Sequence, residues 1–275
     1  MPGSSIWLIP PPRDPFNRTM QTQITSMVPM RFAPSKAHNF IPHVTLTSTI
    51  SPALHEVDAQ AWLDGLELTI EGLQALSAAK DREEADSAAA EKRALEAGNL
   101  EPATTTTTAA SDPEKAAEQA AEQPEAPKGE ENKASIPAKP VEVNLYELEA
   151  GEPFFKKLTL RAKKPCPGLS ELAVAVRAQG CYSGDVETAK SWEKDEYLPH
   201  LSLLYADVTR EEAQKKIPGV LQDLVRAKAI LKPARDGTVA KGGSIVLVTT
   251  DREIQEWKPI ASRQLPEVVW KWTMT

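Results

Sequence analysis

Apolar and polar positions alternate with period two at two places along the chain, and the two places match. Pro42-His43-Val44-Thr45-Leu46-Thr47 and Pro199-His200-Leu201-Ser202-Leu203-Leu204-Tyr205 each read proline, histidine, apolar, hydroxyl, apolar. Strand side chains alternate faces, so His43 and Thr45 share one face while Val44 and Leu46 share the other. His200 and Ser202 oppose Leu201 and Leu203 in the same way. Each strand therefore presents an imidazole and a hydroxyl roughly 6–7 Å apart over an underside that can anchor in a core.

The remaining pattern predicts elements around these strands. Ser5 to Ile9 is a short apolar strand ended by Pro10, Pro11 and Pro12. Asp14 caps a helix with Pro15 in its first turn, and Met20, Ile24 and Met27 recur at helical spacing. Val57 to about Ala79 reads as one helix, with Trp62, Leu66, Ile70, Leu73 and Leu76 on one stripe. Val141 to Tyr146 alternates as a half-buried strand. Its hairpin partner is Phe154 to Arg161, beyond the turn Gly151-Glu152-Pro153. Ser170 is read as the cap of a helix carrying Leu172, Ala173 and Val176, and Gly180 to Lys194 as a loop. Thr209-Arg210-Glu211-Glu212 opens a helix toward Lys228, with Pro218 a kink or break. Gly242-Gly243 opens a strand from Ser244 to Thr249, and the Trp-rich C-terminus (Trp257, Trp270, Trp272) returns across a sheet. His38 and His55 lie in polar, turn-like contexts and are assigned to the surface. The expected fold class is α+β, bilobal, with two antiparallel-sheet lobes facing a shared cleft.

Lys80 to Pro140 breaks this pattern. It has no aromatic residue, and Leu95, Leu100 and Ile136 are its only large aliphatics. It cannot bury enough apolar surface to offset its ordering entropy, so disorder is expected at about 80–140. Good helix formers from Glu83 to Ala97 allow the preceding helix to continue. The expected organisation is one domain over residues 1–275, interrupted by this insertion.

Charge sharpens the division. The net charge is -7, and 8 basic against 14 acidic residues between Lys80 and Pro140 account for most of it. The rest is close to neutral, which argues against a broad nucleic-acid surface but tolerates an anionic ligand. Lys156, Lys157, Arg161, Lys163 and Lys164 form a local basic cluster. Cys166 and Cys181, the two cysteines of the chain, read as free thiols of a reducing compartment. No His/Cys cluster has zinc spacing, and no segment reads as a signal peptide or membrane span. A soluble, cytoplasmic monomer without metal or other cofactor is expected.

Two imidazoles and two hydroxyls around one small volume make an anion site with a general acid and a general base in it. In-line displacement at phosphorus needs a base on the entering water and an acid on the leaving oxygen. His43 and His200 can supply one each; Thr45 and Ser202 can donate to the non-bridging oxygens. His200 is assigned as base and His43 as acid. Trp7 and Phe154 are candidates for base stacking.

The paired motifs resemble the signature of the two-histidine phosphoesterases. With Ser5-Ile6-Trp7-Leu8-Ile9-Pro10-Pro11, Phe154-Phe155-Lys156-Lys157 and the run from Trp192 to Tyr205, the chain resembles the fungal 2′,3′-cyclic-nucleotide 3′-phosphodiesterases. The resemblance implies a pseudo-twofold fold and metal-independent hydrolysis of small cyclic phosphates. The implied substrates are nucleoside 2′,3′-cyclic phosphates, giving 2′-phosphates, and the ADP-ribose 1″,2″-cyclic phosphate of tRNA splicing, giving the 1″-phosphate. It implies ligand contact for Tyr205 and allows an association with the Golgi. Two alternatives stand beside it. One is an enzyme of RNA ends on the same frame, either a 2′-5′ ligase or an RNA phosphodiesterase. The other is a nucleotide- or RNA-binding module without catalysis. The partner of the acidic insertion is unassigned.

Overall fold

A computed structural model describes residues 3–97 and 140–274. Two compact units divide the chain, Met1–Leu76 with Ser135–Thr275, and Ser77–Ala134. The first unit is of mixed α+β class, and its described residues hold nine strands in one sheet. These are β1 (Ser4–Ile9), β2 (Val44–Ile50), β3 (Glu142–Ala150), β4 (Leu158–Ala162), β5 (His200–Leu204), β6 (Thr238–Lys241), β7 (Ser244–Thr249), β8 (Pro259–Gln264) and β9 (Val269–Trp272). Their order is β6-β9-β3-β4-β5-β2-β1-β7-β8. The histidine strands β2 and β5 are therefore neighbours at the middle. They run antiparallel and pair through Val44 and Leu201.

The undersides of these strands are core. Val44, Leu46, Leu160, Leu201 and Leu203 are fully buried. Helix α5 (Pro167–Cys181) packs on β2 and on α6 (Val186–Asp195), and α7 (Arg210–Leu231) packs on β3. Helix α1 (Pro15–Thr22) starts as the sequence demands, with Asp14 accepting from the Phe16 N–H at 2.7 Å. It passes through a π-helical turn at Gln23–Met27 into α2 (Val28–Arg31).

Several expectations need correction. The single helix from Val57 to Ala79 is two, α3 (Ala59–Asp64) and α4 (Ile70–Ala97). Between them, backbone groups find side-chain partners that compete with the helix. Arg263 Nη1 donates to the carbonyls of Asp64 and Leu66. Gln179 accepts from the Glu67 N–H and donates to the Glu67 carbonyl. Residues 80–97 are helical, so the disorder expected at 80–140 does not begin at Lys80. Residues 98–139, with the remainder of that expectation, lie outside the described residues.

The second hairpin arm begins as a 3₁₀ turn at Phe154–Lys156, and only Leu158 onward is strand. Ser170 does not cap α5, which starts at Pro167; its hydroxyl donates to Glu193 Oε1 at 2.6 Å. The loop expected over Gly180 to Lys194 contains α6, whose Asp185 cap accepts from the Thr188 N–H. Helix α7 has the expected capping box at Thr209 and Glu212 but runs through Pro218 without a break. His55 is buried, with Nε2 3.0 Å from Ser4 Oγ. His38 is half-buried, its ring 5.6 Å from that of Phe154. Cys166 and Cys181 are free thiols.

Candidate active site

The β2–β5 pair decides the geometry. Continuing the Val44–Leu201 register by one residue sets His43 opposite Ser202 and Thr45 opposite His200, all on the face away from the buried undersides. The imidazoles thus take one diagonal of a four-cornered site and the hydroxyls the other. His200 contributes to the low proton affinity of His43, after burial.

The proline of each motif has a task that alternation alone does not reveal. His43 Nδ1 lies 2.7 Å from the Ile41 carbonyl oxygen, and His200 Nδ1 lies 2.7 Å from that of Leu198. Both carbonyls belong to the residue before the proline. Proline fixes its own φ and holds the preceding residue extended, which turns that carbonyl back onto the imidazole. A carbonyl only accepts, so Nδ1 carries the proton on both rings. Both Nε2 atoms are left with a lone pair. The two halves have the same device at the same spacing.

The surroundings of the two rings differ. His43 is buried and lies flat on the indole of Trp7, with centroids 3.8 Å apart and planes at 11°. Phe40 meets its edge, and the Tyr205 hydroxyl is 3.4 Å from Nε2. Burial brings the His43 pKa down to about 4, against the Ile41 carbonyl, which favours the charged ring. His200 is half-buried, and its pKa also falls to about 4. Burial is the main cause. The Leu198 carbonyl opposes it, Lys156 and Arg161 add to it, and Glu149 opposes it.

Thr45 is half-buried, paired in register with Trp7, and its hydroxyl meets no hydrogen-bond partner among the described residues. Ser202 donates to the Phe155 carbonyl at 3.2 Å. Tyr205 lies just past β5 with its ring stacked on Phe40, centroids 3.8 Å apart. Burial raises its pKa, with Ser202 pulling the other way. Phe154 is half-buried, 5.0 Å from Phe155 and 6.5 Å from Tyr205 between centroids. Trp7 is enclosed, one indole face taken by His43, and Trp257 stands at its edge. All seven residues singled out from the sequence thus belong to one neighbourhood.

Sequence reasoning missed Phe40, Phe155 and Trp257, which complete an aromatic wall around Tyr205. It placed Trp257 with the returning C-terminal strands, whereas Trp257 precedes β8 and donates its indole N–H to the Arg252 carbonyl. Arg161 was read as one of a basic cluster. It pairs in register with His200, and Thr159 with Ser202, so both point to the same face as the motif residues. The alternation of Thr159 and Arg161 about Leu160 was the available signal. Among the described residues no three His, Cys, Asp or Glu side chains converge as metal ligands. None of the described helices is long and apolar enough to cross a membrane.

The two His-x-Thr/Ser motifs lie on neighbouring strands of one sheet, their imidazoles and hydroxyls on the same face. The family of cyclic phosphodiesterase-like proteins matches residues 1–97 and 99–265, and the chain belongs to it. Its curated relatives include a 2′,3′-cyclic-nucleotide 3′-phosphodiesterase of Phaeosphaeria nodorum, 29% identical over 266 residues, covering 96% of this chain and 100% of that protein. The protein of the same name from Neurospora crassa is 27% identical over 284 residues, covering 96% and 100%. That of Yarrowia lipolytica is 22% identical over 286 residues, covering 95% and 99%.

Proposed function

We propose that this chain hydrolyses nucleoside 2′,3′-cyclic phosphates to nucleoside 2′-phosphates, with His200 as general base and His43 as general acid. The observation that carries the reading is the pairing of β2 with β5, which turns both motifs to one volume. The cyclic phosphate sits between the imidazoles. His200 Nε2 takes a proton from water as the water oxygen bonds to phosphorus. The bond from phosphorus to O3′ breaks in line, and His43 Nε2–H delivers a proton to O3′. Thr45 and Ser202 donate to the non-bridging oxygens, Ser202 exchanging its bond to the Phe155 carbonyl for one to the phosphate.

The difference in surroundings supports this division of labour. Lys156 and Arg161 beside His200 disfavour its charged form, which suits a base. The Trp7 face against His43 favours an imidazolium by cation–π attraction once the bound phosphate offsets burial. Tyr205, whose hydroxyl lies 3.4 Å from His43 Nε2, turns to contact the ligand. Both proton transfers are assigned to side chains, so the reaction is read as metal-independent. The same site is assigned to ADP-ribose 1″,2″-cyclic phosphate, on the likeness of the motifs to the two-histidine phosphoesterases. This reading includes one bilobal, pseudo-twofold catalytic domain interrupted at about 80–140, acting as a cytoplasmic monomer. The repeated Pro-His device in β2 and β5 supports the twofold relation.

The test is hydrolysis of a nucleoside 2′,3′-cyclic phosphate in EDTA, with the product read by phosphorus NMR. Wild type should release the 2′-phosphate, and His43→Ala and His200→Ala should each lose on the order of 10²-fold or more in kcat. Variants as active as wild type would overturn the assignment.

A further inference from the structure

The ladder that joins the two motifs is short, with β2 meeting β5 through Val44 and Leu201. A second tie joins them. The strap that leads into β2, residues 37–43, runs past the end of β5. Ala37 bridges Ala206 there, and the His38 N–H donates to the Tyr205 carbonyl at 3.0 Å. Phe40 is buried between the two motifs. Its ring stacks on Tyr205, centroids 3.8 Å apart, and stands edge-on to His43 at 6.0 Å. Ile41 follows, and its carbonyl holds His43 Nδ1–H.

This strap is pinned by a side chain from another element. Gln21 on α1 donates from Nε2 to the Phe40 carbonyl at 2.9 Å. Asn17, one turn earlier on the same helix face, donates to the Pro10 carbonyl just past β1, also at 2.9 Å. Helix α1 is thus tied both to the strand that carries Trp7 and to the strap that carries Phe40.

Few free torsions lie between Gln21 and the imidazole of His43. The Phe40 carbonyl and the Ile41 nitrogen share one rigid peptide plane. Pro42 holds Ile41 extended, so the orientation of that plane sets where the Ile41 carbonyl points. The same plane sets the Phe40 ring against Tyr205. We propose that Gln21 is a positioning residue of the active site, which acts through Phe40 to set the imidazole of His43 and the side chain of Tyr205. This rests on the cyclic phosphodiesterase reading above. Gln21 takes no part in the proton transfers themselves.

The experiment compares wild type with Gln21→Met, Gln21→Glu and Gln21→Lys on adenosine 2′,3′-cyclic phosphate. It also follows the His43 ring by proton NMR titration, with the resonance assigned from His43→Gln. Methionine keeps the length without a donor, glutamate sets a second acceptor against the carbonyl, and lysine restores a donor. The expected order of kcat is wild type, Gln21→Lys, Gln21→Met, Gln21→Glu. Gln21→Met should lose about tenfold, within what a misplaced catalytic group costs, with KM nearly unchanged.

The titration reads the ring directly. The pKa of His43 lies at about 4 chiefly through burial, with the charge of His200 adding to it and the Tyr205 hydroxyl facing Nε2. A loosened strap admits water, so in Gln21→Met the midpoint should rise to about 5 or above. Kinetics and titration like those of wild type in Gln21→Met and Gln21→Glu would overturn the proposal and leave the catalytic reading standing. So would an equal loss in all three variants with the His43 midpoint unmoved, which marks a packing effect. No turnover by wild type would overturn the catalytic reading, and the proposal with it.

Discussion

The imidazole of His43 and the indole of Trp7 are stacked face to face at 3.8 Å, on strands that pair Trp7 with Thr45. One residue thus holds the ring of the proposed acid while its backbone holds the strand of the proposed phosphate donor. Trp7 is 1% exposed, so the stack is a dry one. A dry cation–π contact with indole is worth about 2 kcal/mol, and it acts only on the charged ring.

Replacing Trp7 by leucine should therefore lower kcat more than it raises KM. It should also move the alkaline limb of the kcat profile to lower pH, because an imidazolium without its indole gives up its proton more readily. A pH profile of kcat measures this. If the limb stays in place while activity falls, Trp7 only packs. Trp7→Phe keeps a ring and should recover part of both effects.

The prolines make a second prediction. In Ile41-Pro42-His43 and Leu198-Pro199-His200 the carbonyl before proline fixes Nδ1–H and so the tautomer. Pro42→Ala or Pro199→Ala frees the unfolded chain at a cost of about 0.4–1 kcal/mol in stability. It also loosens the ring, and misplacement of about 1 Å can cost up to 10²-fold. Urea midpoints should move little while kcat drops several-fold in either variant. Unchanged kcat in both would show that the imidazoles are oriented by other contacts.

Alternation alone placed His43, Thr45, His200 and Ser202 on shared faces, because period two is a property of the strand itself. Which strands would meet was not legible. The neighbourhood of β2 and β5 depends on an order in which β4 and β1 flank them, and no local pattern encodes that. The break between α3 and α4 was hidden for a similar reason. Arg263 and Gln179, far away in sequence, take the backbone groups of Asp64, Leu66 and Glu67 that a continuous helix would use. Helix α6 escaped because Ala189 is its one fully buried residue, leaving almost no apolar stripe to read. Trp257 joined the site through a turn, where neither periodicity applies.

Burial favours the neutral form of both imidazoles, and for His43 this makes stability depend on pH. Its pKa falls from an ordinary 6.5 to about 4, chiefly through burial. In the unfolded chain the same ring takes a proton already near pH 6.5. As pH falls from 6.5 toward 4 the unfolded state binds the proton and the folded state does not, so acid favours unfolding. For this one buried ring the loss is about 2 kcal/mol at pH 5 and about 3 kcal/mol at pH 4. His43→Gln removes the proton site from both states. Urea unfolding at pH 7 and pH 5 should show wild type losing about 2 kcal/mol more than His43→Gln between the two conditions. A bound anion should shrink that difference by stabilising the charged ring in the folded protein. Equal pH dependence in the two proteins would mean that His43 takes a proton as readily in the fold as outside it, and the buried stack on Trp7 would not describe the ring in solution.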